Sequence, residues 1–554
     1  MSELIWLVVP LAPLLLALLL PVARDRITPW LWLSCVPALF AAIYGGIAHQ
    51  TNLNIVAVWP GAQWGAPDLL SRALLGFTSF LWAAAGIYGE VSQKHHPNRL
   101  RFHAFWLLSL SGNLLLIVAQ DGTSFYVGFT LMSLSAYGLV VHLGGPRPRQ
   151  AGRVYLQLAV LGEMLLYAGL MLRIYEAGGS TSFADWRHQP MGAWTAGLLF
   201  VGFGLKAGFW PLHVWLPLAH PAAPAAASAV LSGAMLKAGF LGIWRFLPET
   251  DPLLQSWAPS VIAVGLFSAF YGVALGLMQN QAKVALAFSS ISQIGYLLAI
   301  IGLAWSQPEA RDAWATAFAL YAVHHGFAKG ALFMGAGLAA YYTLRRRHWL
   351  LLSIPAVALA GLPFTSGAAV KTLLKKAAST TAFEPWLLLL SFGALATALL
   401  VARALWLMMR AQRRLDGAPA AAPRMMVVPW AILCVMPIFL PWVWPPLREA
   451  LSASMSRDAN WALVWPLLWA AALVIVVALS AWRGAKRLMD LPNPARWAAH
   501  HLHRRLVMAP KPVVHAQQAK SKWRCWERRW NRLWQGNIFL LTTWLLFALL
   551  LLAW

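Results

Sequence analysis

Uninterrupted apolar stretches recur from one end of this chain to the other, and that recurrence leaves few folds open. They lie near residues 1–22, 30–48, 69–89, 104–120, 123–142, 154–175, 193–213, 224–247, 257–279, 284–305, 313–341, 349–374, 386–409, 426–446, 461–482 and 537–554, sixteen in all. A helix needs roughly 20 apolar residues to cross the hydrocarbon of a bilayer. The stretches are continuous and lack the period-two alternation of a barrel strand, so helices are expected. Composition agrees: 60% of the 554 residues are apolar, 11% are charged, and the mean hydropathy is +0.61. A soluble domain carries about a quarter charged residues, so a water-soluble enzyme is excluded. No low-complexity tract or G-X-Y period points to a disordered or fibrous chain. Cys35, Cys434 and Cys525 are too scattered for a disulfide framework or a metal set. The first stretch carries Glu3 where a signal peptide would be basic, and no small-residue cleavage site follows it, so it reads as a membrane span.

The net charge of +25 would suggest nucleic acid in a soluble protein. Here its distribution gives another explanation. Of the 43 Lys and Arg, 29 fall in the loops after spans 1, 3, 5, 7, 9, 11, 13 and 15. Basic residues are retained on the cytoplasmic side. The alternation therefore predicts an outside N-terminus, a cytoplasmic 483–536 segment, and a multi-pass protein of the bacterial inner membrane. No nucleic-acid partner is called for.

Ionisable residues inside hydrocarbon are costly, and each marks a candidate site. Among the acids only Glu163 lies well inside a span. Four lysines do: Lys206, Lys237, Lys329 and Lys371, with Lys283 at the mouth of span 10. Arginine is confined almost entirely to loops, with Arg72 and Arg403 read as the exceptions. A desolvated lysine can release its proton, and arginine effectively cannot. The bias toward lysine thus favours a proton relay over a fixed-charge device. The alternatives are a lysine reaching out to the interface, chiefly for Lys283, and a structural buried pair for Glu163. His324 and His325 precede Lys329 in ALYAVHHGFAKGALFMGAG, and the four-residue spacing of His325 and Lys329 places them on one helix face. Span 7 ends GLKAGFWPLHVWLP with Pro211 five residues after Lys206, and span 12 reads ALAGLPFTSGAAVK with Pro363 eight residues before Lys371. Both should be broken helices whose freed carbonyls suit an ion path, with a plain packing kink as the alternative.

The stretch GLKAGFWPLHVWLPLAHPAAPAAASAVLSGAMLKAGFLGIWRF resembles the antiporter-like proton-channel family. That family holds the large membrane subunits of respiratory complex I, Mrp cation/proton antiporters, energy-converting hydrogenases and formate hydrogenlyases. The wording PLHVWLPLAHPAAP is similar to the hydrogenase type. AKVALAFSSISQIGY, HHGFAKGALFMGAG and AGLPFTSGAAVK extend the resemblance in order over roughly residues 65–410. It implies an all-α polytopic membrane protein of about 14 core helices, with two inverted five-helix repeats and broken helices 7 and 12. Two further C-terminal spans are added here. By position it implies that Lys206 is the lysine of the first broken helix and Lys237 the bridging lysine. His325 and Lys329 form the central connection, and Lys371 is the exit residue. Two positions depart from the pattern. Thr130, in Phe129-Thr130-Leu131-Met132-Ser133-Leu134, stands where the family has a glutamate, and Tyr321 replaces the first of two spaced histidines. Our inference is that Glu163, one helix later, supplies the missing countercharge to Lys206.

The expected organisation is N-terminal helices 1–4 over 1–122, a proton-channel core over 123–410, helices 14 and 15 over 411–482, a basic connector over 483–536, and a last span over 537–554. Pro492, Pro494, Pro510 and Pro512 break the connector, and Trp523, Trp526, Trp530 and Trp534 form an amphipathic stripe suited to the membrane surface. The chain carries no CxxC set, no dinucleotide fingerprint and no haem pair, so no cofactor is assigned. Any oxidoreductase activity would belong to an assembly of the NADH:quinone oxidoreductase or hydrogenase type. Expected partners are other membrane subunits, a cytoplasmic redox or carbon-handling module, the bilayer and protons. The expected function is proton conduction through the Lys/His/Glu relay. An Mrp-type or inorganic-carbon-uptake subunit, a non-conducting scaffold and a solute carrier acting alone remain open.

Overall fold

The computed structural model describes residues 4–23, 26–44, 53–55, 59–378, 387–414 and 421–482. All of them belong to one compact unit. The connector and final span expected over 483–554 lie outside the described residues.

Helices dominate, because in hydrocarbon every backbone polar group must be satisfied within its own segment. In chain order they are α1 (Leu4–Ala23), α2 (Val36–Tyr44, after a 3-10 turn Thr28–Cys35), α3 (Leu69–Gln93), α4 (Arg99–Val118), α5 (Gly122–Val140), α6 (Pro146–Glu176), α7 (Phe183–Trp186), α8 (Ala193–Ala207), α9 (Leu216–Ala222), α10 (Ala225–Val230), α11 (Leu236–Phe246), α12 (Pro252–Leu277), α13 (Ala282–Ser306), α14 (Arg311–Tyr341), α15 (Arg346–Ala360), α16 (Ser366–Ala378), α17 (Leu387–Gln412), α18 (Arg424–Val443), α19 (Pro445–Ser454) and α20 (Arg457–Trp482). The one sheet among the described residues is a two-residue pairing of Leu53–Asn54 with Gln63–Trp64 in the loop before α3. Eleven of the helical segments are long and apolar enough to cross a membrane unbroken. Each of the first fifteen apolar stretches is helical over most of its length, although the second opens on a 3-10 turn and the fourteenth is interrupted at Trp444.

Starts are set locally. Asp68, Asp121 and Asp251 cap α3, α5 and α12 by accepting from Ser71, Ser124 and Leu253 backbone N–H groups. Close helix crossings are set by small residues, as expected where apolar surface gains nothing by leaving lipid. A Cβ at Gly265 of α12 would lie 2.6 Å from the Gly295 carbonyl oxygen of α13, so only glycine permits that approach.

Arginine departs from expectation. Arg173 in α6 and Arg245 in α11 also lie inside helices, and both side chains end on backbone carbonyls near helix ends. Arg245 donates to the carbonyls of Leu116, Ile117 and Ala119 and to Ser71 Oγ, closing the C-terminal end of α4. Arg173 donates to those of Trp186, Gln189 and Pro190. These are fixed charges that tie loops to helices. Arg245→Ala is expected to destabilise the protein by about 3 kcal/mol or more, because it strands several buried acceptors. Thermal unfolding in detergent reads this as a lower Tm.

Candidate functional site

Both predicted breaks are present, and both begin the same way. α8 ends on Gly208 (φ 74°) and α15 ends on Gly361 (φ 95°), each in the left-handed conformation that glycine adopts without cost. Pro211 and Pro363 follow within the breaks, where neither is asked to donate a helical hydrogen bond. Phe364, in the second break, also has a positive φ of 65°, a strained setting for an aromatic residue. The kinks are therefore true interruptions, each with a lysine close by.

The first cluster lies around a small cavity between α5, α6 and α8. Phe129, Tyr155, Glu163, Lys206 and Trp215 are among its lining residues. Glu163 is 7% exposed and accepts a hydrogen bond from Thr130 Oγ1 at 2.5 Å, while its other oxygen is buried without a hydrogen-bond partner. Lys206 Nζ donates to Tyr155 Oη at 2.9 Å, and Tyr155 donates onward to the Ser133 carbonyl at 2.7 Å. The Lys206 amine also lies over the Tyr155 ring, 5.4 Å from its centre. No ion pair joins Glu163 and Lys206, although the two are within electrostatic range.

The second cluster is central. Between α10 and α11 the chain widens into one π-helical turn, Leu231–Met235. Such turns concentrate at functional sites. Lys237, just beyond it, donates to the Ser232 carbonyl at 2.8 Å, and its Nζ is also 2.8 Å from His325 Nδ1 of α14. Ser232 Oγ meets Ser290 Oγ at 2.7 Å, and Ser290 donates to the Leu286 carbonyl at 3.1 Å. Lys329 Nζ ends on that same carbonyl at 3.1 Å. Lys237, His325 and Lys329 are thus joined through two serines and backbone.

The third cluster surrounds the second break. His324 Nδ1 is 2.7 Å from Ser366 Oγ, at the first residue of α16. Lys371, one and a half turns on, reaches back to the Leu359 and Ala360 carbonyls at 2.9 and 2.8 Å, which the end of α15 leaves free. The adjacent histidines therefore face different helices, His325 toward Lys237 and His324 toward the start of α16. Among the described residues no hydrogen bond bridges the Lys206 and Lys237 clusters. There α8 and α11 pack so closely that a Cβ at Gly239 would lie 2.6 Å from the Phe203 carbonyl oxygen.

Lys283 donates to the Ala223 carbonyl at 2.7 Å. It is turned into the protein rather than toward an interface. Sequence reasoning passed over His220, which is fully buried, stacks on Phe333 with ring centres 4.5 Å apart, and has no partner for either ring nitrogen. It lies within electrostatic range of Lys283 and Lys329. Its signal was in view in the LAHP wording, beside the break that follows Lys206. Tyr321, at the departed histidine position, donates to Gln293 Oε1 at 2.9 Å.

The five lysines share one trait: none donates to a carboxylate, and each ends on a carbonyl, a hydroxyl or an imidazole. Neutral acceptors of this kind can accept from an ammonium or from a neutral amine.

Broken membrane helices around buried amines and imidazoles define an antiporter-like class of membrane subunit, of which this chain is a multi-pass example. Residues 119–399 match the model of the NADH:quinone oxidoreductase/Mrp antiporter transmembrane family, and the chain belongs to that family. Hydrogenase-4 component B of Escherichia coli K12 is 31% identical over 286 residues, which cover 49% of this chain and 42% of that protein. NADH-quinone oxidoreductase subunit N of Ectopseudomonas mendocina is 29% identical over 305 residues, covering 50% of this chain and 60% of the relative. The chain thus spans about half the length of these relatives. A chain of the Mrp complex from Dietzia sp. shares the fold with a TM-score of 0.70 at 20% identity, covering 84% of this chain and 99% of that one. A chain of the membrane-bound sulfane sulfur reductase, an archaeal respiratory complex, does so at 0.69 and 17%, covering 85% and 99%.

Proposed function

We propose that this chain conducts protons through a relay of Glu163, Lys206, Lys237, His325, Lys329, His324 and Lys371, as one membrane subunit of a larger complex I-like or hydrogenase-like assembly. The observation that carries this reading is the 2.8 Å contact of Lys237 Nζ with His325 Nδ1 at the buried centre. Two basic groups at that distance share one proton: either the imidazole accepts with a bare nitrogen, or the lysine is a neutral amine. A fixed-charge scaffold has no use for such a pair. Lys329 joins this pair through Ser290 and Ser232, His324 meets the start of α16 at Ser366, and Lys371 lies beyond the second break.

In this reading Glu163 takes the place of the glutamate absent at position 130. Its charge stabilises the ammonium of Lys206 where protein screens poorly, and moving that charge would release the proton inward. Thr130 remains as the hydroxyl that orients the carboxylate. Lys283 and His220, beside the first break, form the access from the basic-loop face. Orientation with the N-terminus outside in a bacterial inner membrane follows from the loop charges. Redox or other driving chemistry would sit in partner subunits.

The test is proton flux into proteoliposomes holding the purified full chain. Lys206→Ala should lower flux at least about tenfold, one decade per 1.36 kcal/mol of lost proton affinity. Lys206→Arg should not rescue it, because arginine holds its proton. Flux in Lys206→Ala equal to that of the unmodified chain would overturn the relay and favour a scaffold.

A further inference from the structure

The relay as proposed stops at Lys371, which is buried, yet α16 carries a second amine one turn further on. The sequence places Lys375 just past the end of span 12. The helix instead runs to Ala378 and takes Lys375 with it. Residues four apart share a helix face: Lys371 is buried and Lys375 half-buried, while the adjacent Lys376 is exposed. Lys375 Nζ points back into the protein, donating to Ser391 Oγ of α17 at 2.7 Å.

Its other acceptor is the Ala462 carbonyl of α20, at 3.4 Å. That carbonyl has a particular history. It is the oxygen to which the backbone N–H of residue 466 would donate in a regular helix, and residue 466 is Pro466. Proline thus leaves one carbonyl of α20 without its helical donor, and the half-buried amine lies against it. A lysine simply reaching for solvent would leave both of these acceptors.

Resting on the relay proposed above, we infer that Lys375 is its terminal proton-transfer residue, and that α17 and α20 form the mouth through which protons pass between Lys371 and the outer face. In the transfer step an N–H bond of the Lys371 ammonium breaks, and the proton crosses intervening water to the lone pair of Lys375 Nζ. Lys371 is left as a neutral amine, and Lys375 then yields the proton to a water molecule at the surface. Ser391 and the Ala462 carbonyl accept from Lys375 in both of its states, so the amine stays in place while it turns over.

The experiment compares proton flux for Lys375→Ala, Lys375→Arg and Lys371→Ala in full-chain proteoliposomes, with Tm as the measure of folding. Lys375→Ala is expected to lower flux about tenfold. Lys375→Arg keeps a donor for Ser391 and Ala462 and should keep the Tm, yet lower flux to the same degree. Pro466→Ala restores the missing N–H, competes for the Ala462 carbonyl, and should lower flux two- to threefold. If Lys375→Arg conducts like the unmodified chain while Lys371→Ala does not, Lys375 is a structural anchor and the inference falls, with the relay intact. If Lys371→Ala also conducts normally, the relay itself falls, and this step with it.

Discussion

Replacement of His325 by leucine is expected to lower proton flux roughly 100-fold or more, the lower bound of what a positioned acid–base group contributes. The size follows from its position. Lys237 comes from α11 and His325 from α14, 88 residues apart in sequence, and their contact joins two titratable side chains directly at the buried centre. Leucine fills the space but leaves Lys237 only the Ser232 carbonyl, so the proton has no next base. His324 cannot substitute. Its Nδ1 is engaged by Ser366, and as the neighbouring residue on the same helix it projects about 100° away. His325→Gln separates charge transfer from packing. Glutamine can still accept from Lys237 and should restore the Tm without restoring flux. Equal flux in His325→Leu and the unmodified chain would remove the central step.

The architecture was legible in the sequence to the extent that lipid dictates it. Apolar runs long enough to span must be helices, so the segments could be read directly; the breaks rested on glycine and proline together, since Pro355 and Pro466 sit inside continuous helices. The choice of lysine over arginine also survived in outline, although Arg173 and Arg245 escaped notice. Both lie close to helix ends, where a long side chain bends back onto loop carbonyls, and hydropathy does not register that direction. What the sequence could not supply was pairing. Nothing in HHGFAK says that the two histidines diverge, one to α11 and the other to α16, because their partners are set by how distant helices cross. The π-helical turn at Leu231–Met235 is likewise a product of packing, with no residue of its own as a signal. His220 was passed over because one buried histidine in an apolar run ordinarily signifies packing. Only its two unpartnered nitrogens set it apart, and those require coordinates. The loss of glutamate at position 130 reads from sequence as a missing part. In three dimensions Thr130 donates to Glu163 at 2.5 Å, so an acid on α6 stands directly against position 130 and lines the cavity.

That displacement yields the second large expected effect. Glu163→Gln removes the one acid inside the cavity and should lower flux about tenfold, since the Lys206 ammonium loses its countercharge where water screens poorly. Taken alone, such a loss could reflect damage to packing around α6. Returning the acid to α5 separates the two explanations. In the double variant Thr130→Glu with Glu163→Gln, the carboxylate starts from α5, which lines the cavity through Phe129 and Ser133, and the glutamine amide can donate to it as Thr130 now donates to Glu163. Flux should recover to within about threefold of the unmodified chain, and Thr130→Glu by itself should lower it, because two carboxylates then compete for one lysine. Thr130→Val should have a smaller effect than Glu163→Gln, as it removes an orienting hydroxyl and leaves the charge. If Glu163→Gln conducts normally and the double variant differs from neither parent, the countercharge lies elsewhere and Glu163 serves only to hold α5 against α6.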